Sequence, residues 1–146
     1  MIKALIDTNV ILDIALKREL FFKDASNLFA KIDNQIFEGY ISASSITDIY
    51  YIVSKQLNKK IAHEFLLNLI QVLELAGVDR EIVEQALASQ LSDFEDAIQV
   101  FSAKSNGIDF IVTRNIGDFS DSEIPVKTPA EFINMLEKPL TEEDLK

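Results

Sequence analysis

The chain has 146 residues, 48% of them hydrophobic and 26% charged, a composition typical of one domain that buries a core. Because it has no cysteine and a single histidine, His63, disulfides, zinc–thiolate sites, thiol nucleophiles and multi-histidine metal sites are excluded. The formal net charge of −10 argues against strong nonspecific attraction to nucleic acid or anionic membranes, since phosphate contacts need lysine and arginine.

Short apolar runs alternate along the chain with segments whose apolar residues recur at three- and four-residue spacing. The runs indicate strands, and the spaced residues indicate amphipathic helices. In chain order we predict a strand at 3–7, a helix at 10–16, a helix at 21–37, a strand at 40–44, a helix at 46–57, a helix at 60–71, a strand at 72–78, a helix at 80–89, a helix at 93–105, a strand at 109–113, a loop at 114–125 and a helix at 129–136.

Residues typical of helix ends support several of these boundaries. Thr8 is the expected cap of the first helix, and Gly39 is expected to close the second. Residues 92–95 and 128–131 have the Ser/Thr-x-x-Glu spacing of a capping box, which predicts a helix start at each.

Strands separated by helices, with no repeat or low-complexity segment, predict a single α/β domain around a mainly parallel sheet covered on both faces. We place this domain at residues 1–136 and expect the acidic tail, residues 137–146, to be mobile. No apolar run approaches the roughly 20 residues of a membrane span, and no signal peptide is recognisable, so we expect a cytoplasmic protein without membrane contact.

Aspartates follow three of the predicted strands. Asp7 ends the first strand, Asp48 follows the second, and Asp118 lies in the loop after the strand at 109–113. Because α/β sheets bind ligands outside the carboxyl ends of their strands, we expect these side chains to lie at the binding edge.

Another pair of aspartates, Asp93 and Asp96, opens the helix predicted at 93–105. Residues three apart share a helix face, so both carboxylates would point the same way. The apolar residues expected on the opposite face are Phe94, Ala97, Ile98 and Phe101.

Carboxylates gathered within a few ångströms repel one another unless a cation compensates their charge. Mg²⁺ or Mn²⁺ is the natural counter-ion, because hard divalent ions take oxygen ligands and need no histidine or cysteine. Such a site can activate water and stabilise the attacking and leaving oxygens of a phosphodiester.

Each aspartate also has an ordinary structural explanation. Asp7 alone could be an exposed strand-end residue or a helix cap, and Asp48 alone a partner of the helix dipole. Asp93 and Asp96 alone could be a solvated first-turn pair, and Asp118 a turn residue. The metal-site hypothesis therefore depends on the order and spacing of the whole set.

Three segments carry a resemblance to a known family. They are LIDTNVILDIALKRE near the N-terminus, SSITDIYYI in the middle and DFEDAIQVFSAKSNGIDFIVTRNIGDF toward the C-terminus. The series resembles the PIN domain family and, within it, the VapC-like ribonuclease toxins of toxin–antitoxin pairs. The resemblance spans residues 2–135 and implies a Rossmann-like α/β/α sandwich with a Mg²⁺- or Mn²⁺-dependent endoribonuclease site of three or four acids.

The resemblance assigns residues position by position. The matches to the four catalytic acids are, in chain order, Asp7, Asp48, Asp96 and Asp118. Of these, Asp7 and Asp96 are expected to hold the metal, and Asp93 is an auxiliary carboxylate. The family usually has Glu at the second position, so Asp48, one methylene shorter, is expected to bind through water or to sit closer to the metal. The matches to polar residues that orient substrate or water are Thr8, Thr113 and Asn115.

The expected partners are an RNA substrate, a cognate antitoxin protein and a second copy of the chain as a homodimer. Four basic residues near the motifs are candidates for contact with the RNA backbone, and such contacts would partly offset the acidic net charge: Lys17, Arg18, Lys104 and Arg114.

Two alternative functions stay open from the sequence. One is a haloacid dehalogenase-type phosphatase with Asp7 as nucleophile, although that family has a second Asp where Asn9 stands. The other is a noncatalytic PIN-like module that binds RNA or protein, since a fold does not fix a function.

Overall fold

The structure, a computed structural model, describes residues 1–91 and 93–138. The strands are β1 (Lys3–Ile6), β2 (Glu38–Ser42), β3 (Glu74–Ala76), β4 (Phe110–Val112) and β5 (Val126–Lys127). The helices are α1 (Thr8–Ala15), α2 (Phe22–Asp33), α3 (Ile46–Gln56), α4 (Lys59–Val72), α5 (Arg80–Ala88), α6 (Phe94–Ser105) and α7 (Pro129–Glu137). None of the helices in these two ranges has the length and apolar character needed to cross a membrane.

The strands form one parallel sheet in the order β3-β2-β1-β4-β5, with β1 at its centre. Ala4 and Ile6 face a core built with α1, α2, α3, α4 and α7, whereas Leu5 faces a core built with α6. Helix α5 packs against the outer side of α6. Because helices cover both faces, the successive β1 residues Ala4, Leu5 and Ile6 are all buried, and the predicted α/β fold is confirmed.

Several predicted boundaries are wrong for local reasons. Asp7, not Thr8, precedes α1 as its N-cap residue, and its carboxylate makes no capping bond. Helix α2 ends at Asp33, and the chain reverses through Gln35 at φ 58°, so Gly39 does not close that helix. Gly39 lies in β2, where an added Cβ would come within 2.6 Å of the Ile32 and Leu73 side chains. Its absent side chain therefore serves close packing rather than helix termination.

The two predicted capping boxes have different outcomes. At the start of α7, Thr128 accepts a hydrogen bond from the Glu131 backbone amide, as predicted. At the start of α6 the N-cap is Asp93, and the predicted cap Ser92 lies outside the described residues. Residues 139–146 also lie outside the described ranges, so the domain limit at 136 and the mobile tail stay predictions.

Two short elements escaped the sequence pattern. Strand β5 has only two residues, too few for any periodicity to appear. Residues 116–119, expected to be loop, form a 3₁₀ turn that carries Asp118.

A buried carboxylate ties α1 to the segment that follows β4. Asp13 is 1% exposed and accepts hydrogen bonds from Arg114 Nε at 2.7 Å and Nη2 at 3.2 Å. Arg18 Nη1 lies 3.3 Å from the same carboxylate, and the Arg114 guanidinium stacks 3.9 Å from the centroid of the Phe21 ring. Arg114 therefore anchors the chain just before the turn that holds Asp118.

Three of the four basic residues expected to contact RNA form ion pairs within the chain. Arg18 and Arg114 share the Asp13 carboxylate, and Lys104 pairs with Glu123 at 2.6 Å. Their positive charge is thus partly neutralised within the chain before any RNA binds.

We predict that Asp13→Ala lowers the free energy of unfolding by about 3–5 kcal/mol, because it leaves the largely buried Arg114 without its partner. The matched control is Glu123→Ala, which breaks an exposed ion pair and should cost less than about 1 kcal/mol. Urea unfolding of both variants measures the difference. Equal midpoints would show that the Asp13 contacts do not anchor this part of the fold.

Candidate active site

A cleft of about 360 Å³ opens at the carboxyl edge of the sheet. Six carboxylates line it: Asp7, Asp48, Asp93, Glu95, Asp96 and Asp118. The order of strands and helices determines where each acid lies. Asp7 follows β1, Asp48 lies in the first turn of α3 after β2, and Asp118 lies in the turn after β4. The start of α6 brings the other three. The structure thus places every predicted acid at one edge.

Asp7 is the most deeply placed of these acids. It is 5% exposed, and each carboxylate oxygen has its own donor: Gln99 Nε2 lies 3.0 Å from Oδ1, and Thr113 Oγ1 lies 2.9 Å from Oδ2. Burial raises the pKa of the Asp7 carboxyl, and the hydrogen bonds from Gln99 and Thr113 offset part of that rise. The two donors also fix the orientation of the carboxylate.

The predicted polar residues are placed differently from one another. Thr8 lines the cleft, and its hydroxyl donates to Ser45 Oγ at 2.9 Å. Thr113 is fully buried and its hydroxyl donates to Asp7, so it holds that carboxylate; its role in orienting substrate or water stays a prediction. The Asn115 backbone amide donates to Thr113 Oγ1 at 3.1 Å, which links the turn after β4 to the same hydroxyl. Asn115 itself is exposed and is not among the residues lining the cleft.

The first turn of α6 concentrates negative charge. The Asp93 carboxylate caps the helix by accepting a hydrogen bond from the Asp96 amide at 3.0 Å. Burial, followed by the charges of Asp93 and Asp7, raises the pKa of Asp96 to about 7. In the protein without a bound cation, Asp96 is therefore partly protonated at neutral pH.

Two residues of the cleft were missed from the sequence. Glu95 was assigned only to a capping box, yet it lines the cleft, and desolvation followed by the charge of Asp48 raises its pKa. The sequence prediction assigned no role to Gln99. A polar residue one turn after Asp96, between Ile98 and Val100, is a signal that marks it as a candidate site residue without naming its partner. Gln99 is 3% exposed and its Oε1 has no hydrogen-bond partner among the described residues.

The donor set of the cleft suits a hard divalent cation. In the described part of the chain, no three histidine, cysteine or acidic side chains are arranged to enclose a metal by themselves. Mg²⁺ does not require such an arrangement, because it keeps several waters and binds through one or two carboxylates. The raised pKa of Asp96 shows that its negative charge is disfavoured in the cleft, and the buried amide oxygen of Gln99 beside Asp7 has no partner among the described residues. A bound cation would stabilise both groups.

The pKa of Asp96 leads to a prediction for the metal-free protein. The folded protein retains this proton up to about pH 7, whereas an unfolded aspartate releases it near about pH 4. Folding therefore takes up a proton between these pH values, and stability should fall as the pH rises from 4 to 7.

Urea unfolding in EDTA across this range measures the slope, which Asp96→Asn should reduce. The control is Asp33→Asn at the exposed end of α2, which should leave the slope unchanged. An identical pH dependence in wild type and Asp96→Asn would contradict the crowded-carboxylate description of the cleft.

Known proteins resemble this chain in both sequence and structure. A family model described as the PIN domain matches residues 3–117. Ribonuclease VapC1 of Aquifex aeolicus (strain VF5) is 30% identical over 135 residues, which cover 89% of this chain and 92% of that protein.

Solved structures share the fold. VapC20 of Mycobacterium tuberculosis, described as a sarcin-ricin loop cleaving toxin, superposes with a TM-score of 0.68 at 18% identity, over 83% of this chain and 95% of that one. VapBC2 of Rickettsia felis, solved with a DNA fragment from its promoter, gives a TM-score of 0.65 at 17% identity, over 87% and 98% of the two chains. At these identities the superpositions establish the fold alone.

Proposed function

The chain belongs to the PIN domain family, and from that premise we propose that it is a metal-dependent endoribonuclease that hydrolyses RNA phosphodiester bonds. The observation that carries the proposal is the convergence of six carboxylates in one cleft at the carboxyl edge of the sheet. Similarity over nearly the whole chain to a protein named as a ribonuclease supports the same activity.

The proposed cofactor is Mg²⁺ or Mn²⁺. Asp7 and Asp96 are the proposed ligands, because both line the cleft and the charge of Asp7 contributes to the raised pKa of Asp96. Asp48 and Asp118 complete the acidic pocket, and Asp93 is auxiliary. When bound, such an ion supplies positive charge to the phosphate and lowers the pKa of a coordinated water.

The protein's own groups prepare the site for that chemistry. Gln99 and Thr113 hold the two oxygens of Asp7 in a fixed direction, so little reorganisation is needed when a ligand arrives. Glu95, whose pKa is raised beside Asp48, retains a proton at its carboxyl group more readily than an ordinary glutamate.

The proposed biological role is that of the toxin in a toxin–antitoxin pair, acting on RNA in the cytoplasm and held in check by a cognate antitoxin protein. Similarity to VapC1 supports this role. Self-association as a homodimer stays a prediction.

The geometry of Asp7 argues against the phosphatase alternative. An aspartate nucleophile needs one free carboxylate oxygen that can approach phosphorus. Both oxygens of Asp7 accept hydrogen bonds from buried side chains, and the residue is 5% exposed. A carboxylate held in this way is suited to binding a cation rather than to attacking a phosphate.

We predict that the purified full-length protein, freed of any co-purifying antitoxin, cleaves RNA in millimolar Mn²⁺ and does not cleave it in EDTA. Sequencing the RNA ends after brief incubation measures cleavage and identifies the bond. The variants Asp96→Asn and Asp48→Ala should lose activity by orders of magnitude, whereas Asp48→Glu, which restores the side chain common in the family, should retain measurable activity.

The control for these variants is Glu64→Gln, which removes an exposed carboxylate on α4 away from the cleft and should cleave like wild type. Cleavage by Asp96→Asn at the wild-type rate would remove the cleft from the mechanism. Absence of cleavage by the folded wild-type protein in Mn²⁺ on all RNAs tested would favour a noncatalytic binding module instead.

A further inference from the structure

Phe94 lies exposed at the rim of the acidic cleft. It is the first residue of α6, and the helical pattern places it on the apolar side with Ala97 and Ile98. Those two side chains are buried, at 0% and 4% exposure, whereas Phe94 is 47% exposed. Phe94 therefore does not share the burial of its apolar neighbours on α6. The exposed part of its ring is available to contact a ligand.

Phe94 lines a second cleft of about 260 Å³, which we call the side cleft. The side cleft and the acidic cleft share four lining residues: Thr8, Asp48, Glu95 and Gln99. The two clefts are thus neighbours, with Asp48 and Glu95 lining both. The walls found only in the side cleft carry no charge and are Ser44, Ser45, Phe94 and Ile98.

The chemistry of these walls differs from that of the acidic cleft. Phe94 and the buried Ile98 provide an aromatic face and an apolar floor. Ser44 Oγ lies 2.7 Å from Ser42 Oγ, and since a hydroxyl has one donor and two acceptor positions, the exposed Ser44 keeps capacity for another hydrogen bond. A flat apolar face beside a free hydroxyl suits a nucleobase, which has a π-face and polar edges.

We propose that the side cleft binds a nucleobase of the RNA strand whose phosphate lies in the acidic cleft, with Phe94 stacking on the base. The proposal rests on the proposed ribonuclease function. The charge of the chain favours this occupant: with a net charge of −10, and with Arg18, Arg114 and Lys104 paired to carboxylates, phosphate contacts alone supply little affinity. Stacking on an aromatic side chain supplies affinity without positive charge.

The test compares RNA with and without bases. The probes are fluorescein-labelled hexa-adenylate RNA and a hexameric ribose-phosphate chain of the same length that lacks bases. Binding is measured by fluorescence anisotropy with the full-length protein in Ca²⁺, an oxygen-binding divalent ion, and a gel verifies that the probes remain intact. Wild type should bind hexa-adenylate more tightly than the abasic chain.

Phe94→Ala should weaken binding of hexa-adenylate by about 5- to 100-fold, the range expected for loss of one base-stacking aromatic, and should leave binding of the abasic chain unchanged. Phe94→Trp should restore base-dependent binding. The matched control is Leu87→Ala, which removes a 70% exposed apolar side chain from α5 and should not change either affinity.

Unchanged hexa-adenylate affinity in Phe94→Ala would overturn the nucleobase subsite and would leave Phe94 as a protein-contact residue. An equal loss for both probes would also overturn it, because the effect would then not depend on a base. In either case, cleavage of RNA by the wild-type protein would still support the ribonuclease function. Failure of the folded wild type both to bind hexa-adenylate and to cleave RNA would overturn the function and the subsite together.

Discussion

The architecture of the site follows from carboxylates that are partly desolvated by burial and that repel one another at one edge of the sheet. Six acidic side chains share a cleft there, and the pKa values of Asp7, Glu95 and Asp96 are all raised. Charges gathered in this way cost stability unless protons or cations compensate them. We propose that a divalent ion, which would bind only the folded arrangement, offsets this cost through its binding free energy.

The scaffold around the cleft is built to hold these charges in place. The buried side chains of Gln99 and Thr113 donate to Asp7, so the central carboxylate cannot rotate away from its neighbours. Beneath the turn that carries Asp118, the Asp13–Arg114 contact anchors the chain to α1. Uncharged walls begin immediately beside the cleft at Phe94. One edge of the sheet therefore places an acidic cleft, the proposed site of a cation and phosphate, beside an uncharged cleft, the proposed site of a base.

The order of strands, helices and strand-end acids could be predicted from sequence because each depends on local patterns. The placement of Asp7, Asp48 and Asp118 at one edge follows from parallel strand ends, which the alternation of elements already implies. Local patterns could not reveal that Thr113 turns inward to Asp7 or that Gln99 reaches it from 92 residues away. These contacts depend on tertiary packing, as do the exposure of Phe94 and the place of Glu95 beside Asp48.

We propose that the carboxylate cleft binds a divalent cation. Paramagnetic broadening by Mn²⁺ is the measurement that tests this binding. Substoichiometric Mn²⁺ added to ¹⁵N-labelled protein broadens the amide signals nearest the ion. We expect the signals of Asp7, Thr8 and Asp96 to broaden first, those around Lys104 and Glu123 to stay sharp, and EDTA to restore all of them. Broadening spread evenly over exposed acidic residues, or its absence at Asp7 and Asp96, would contradict the claim.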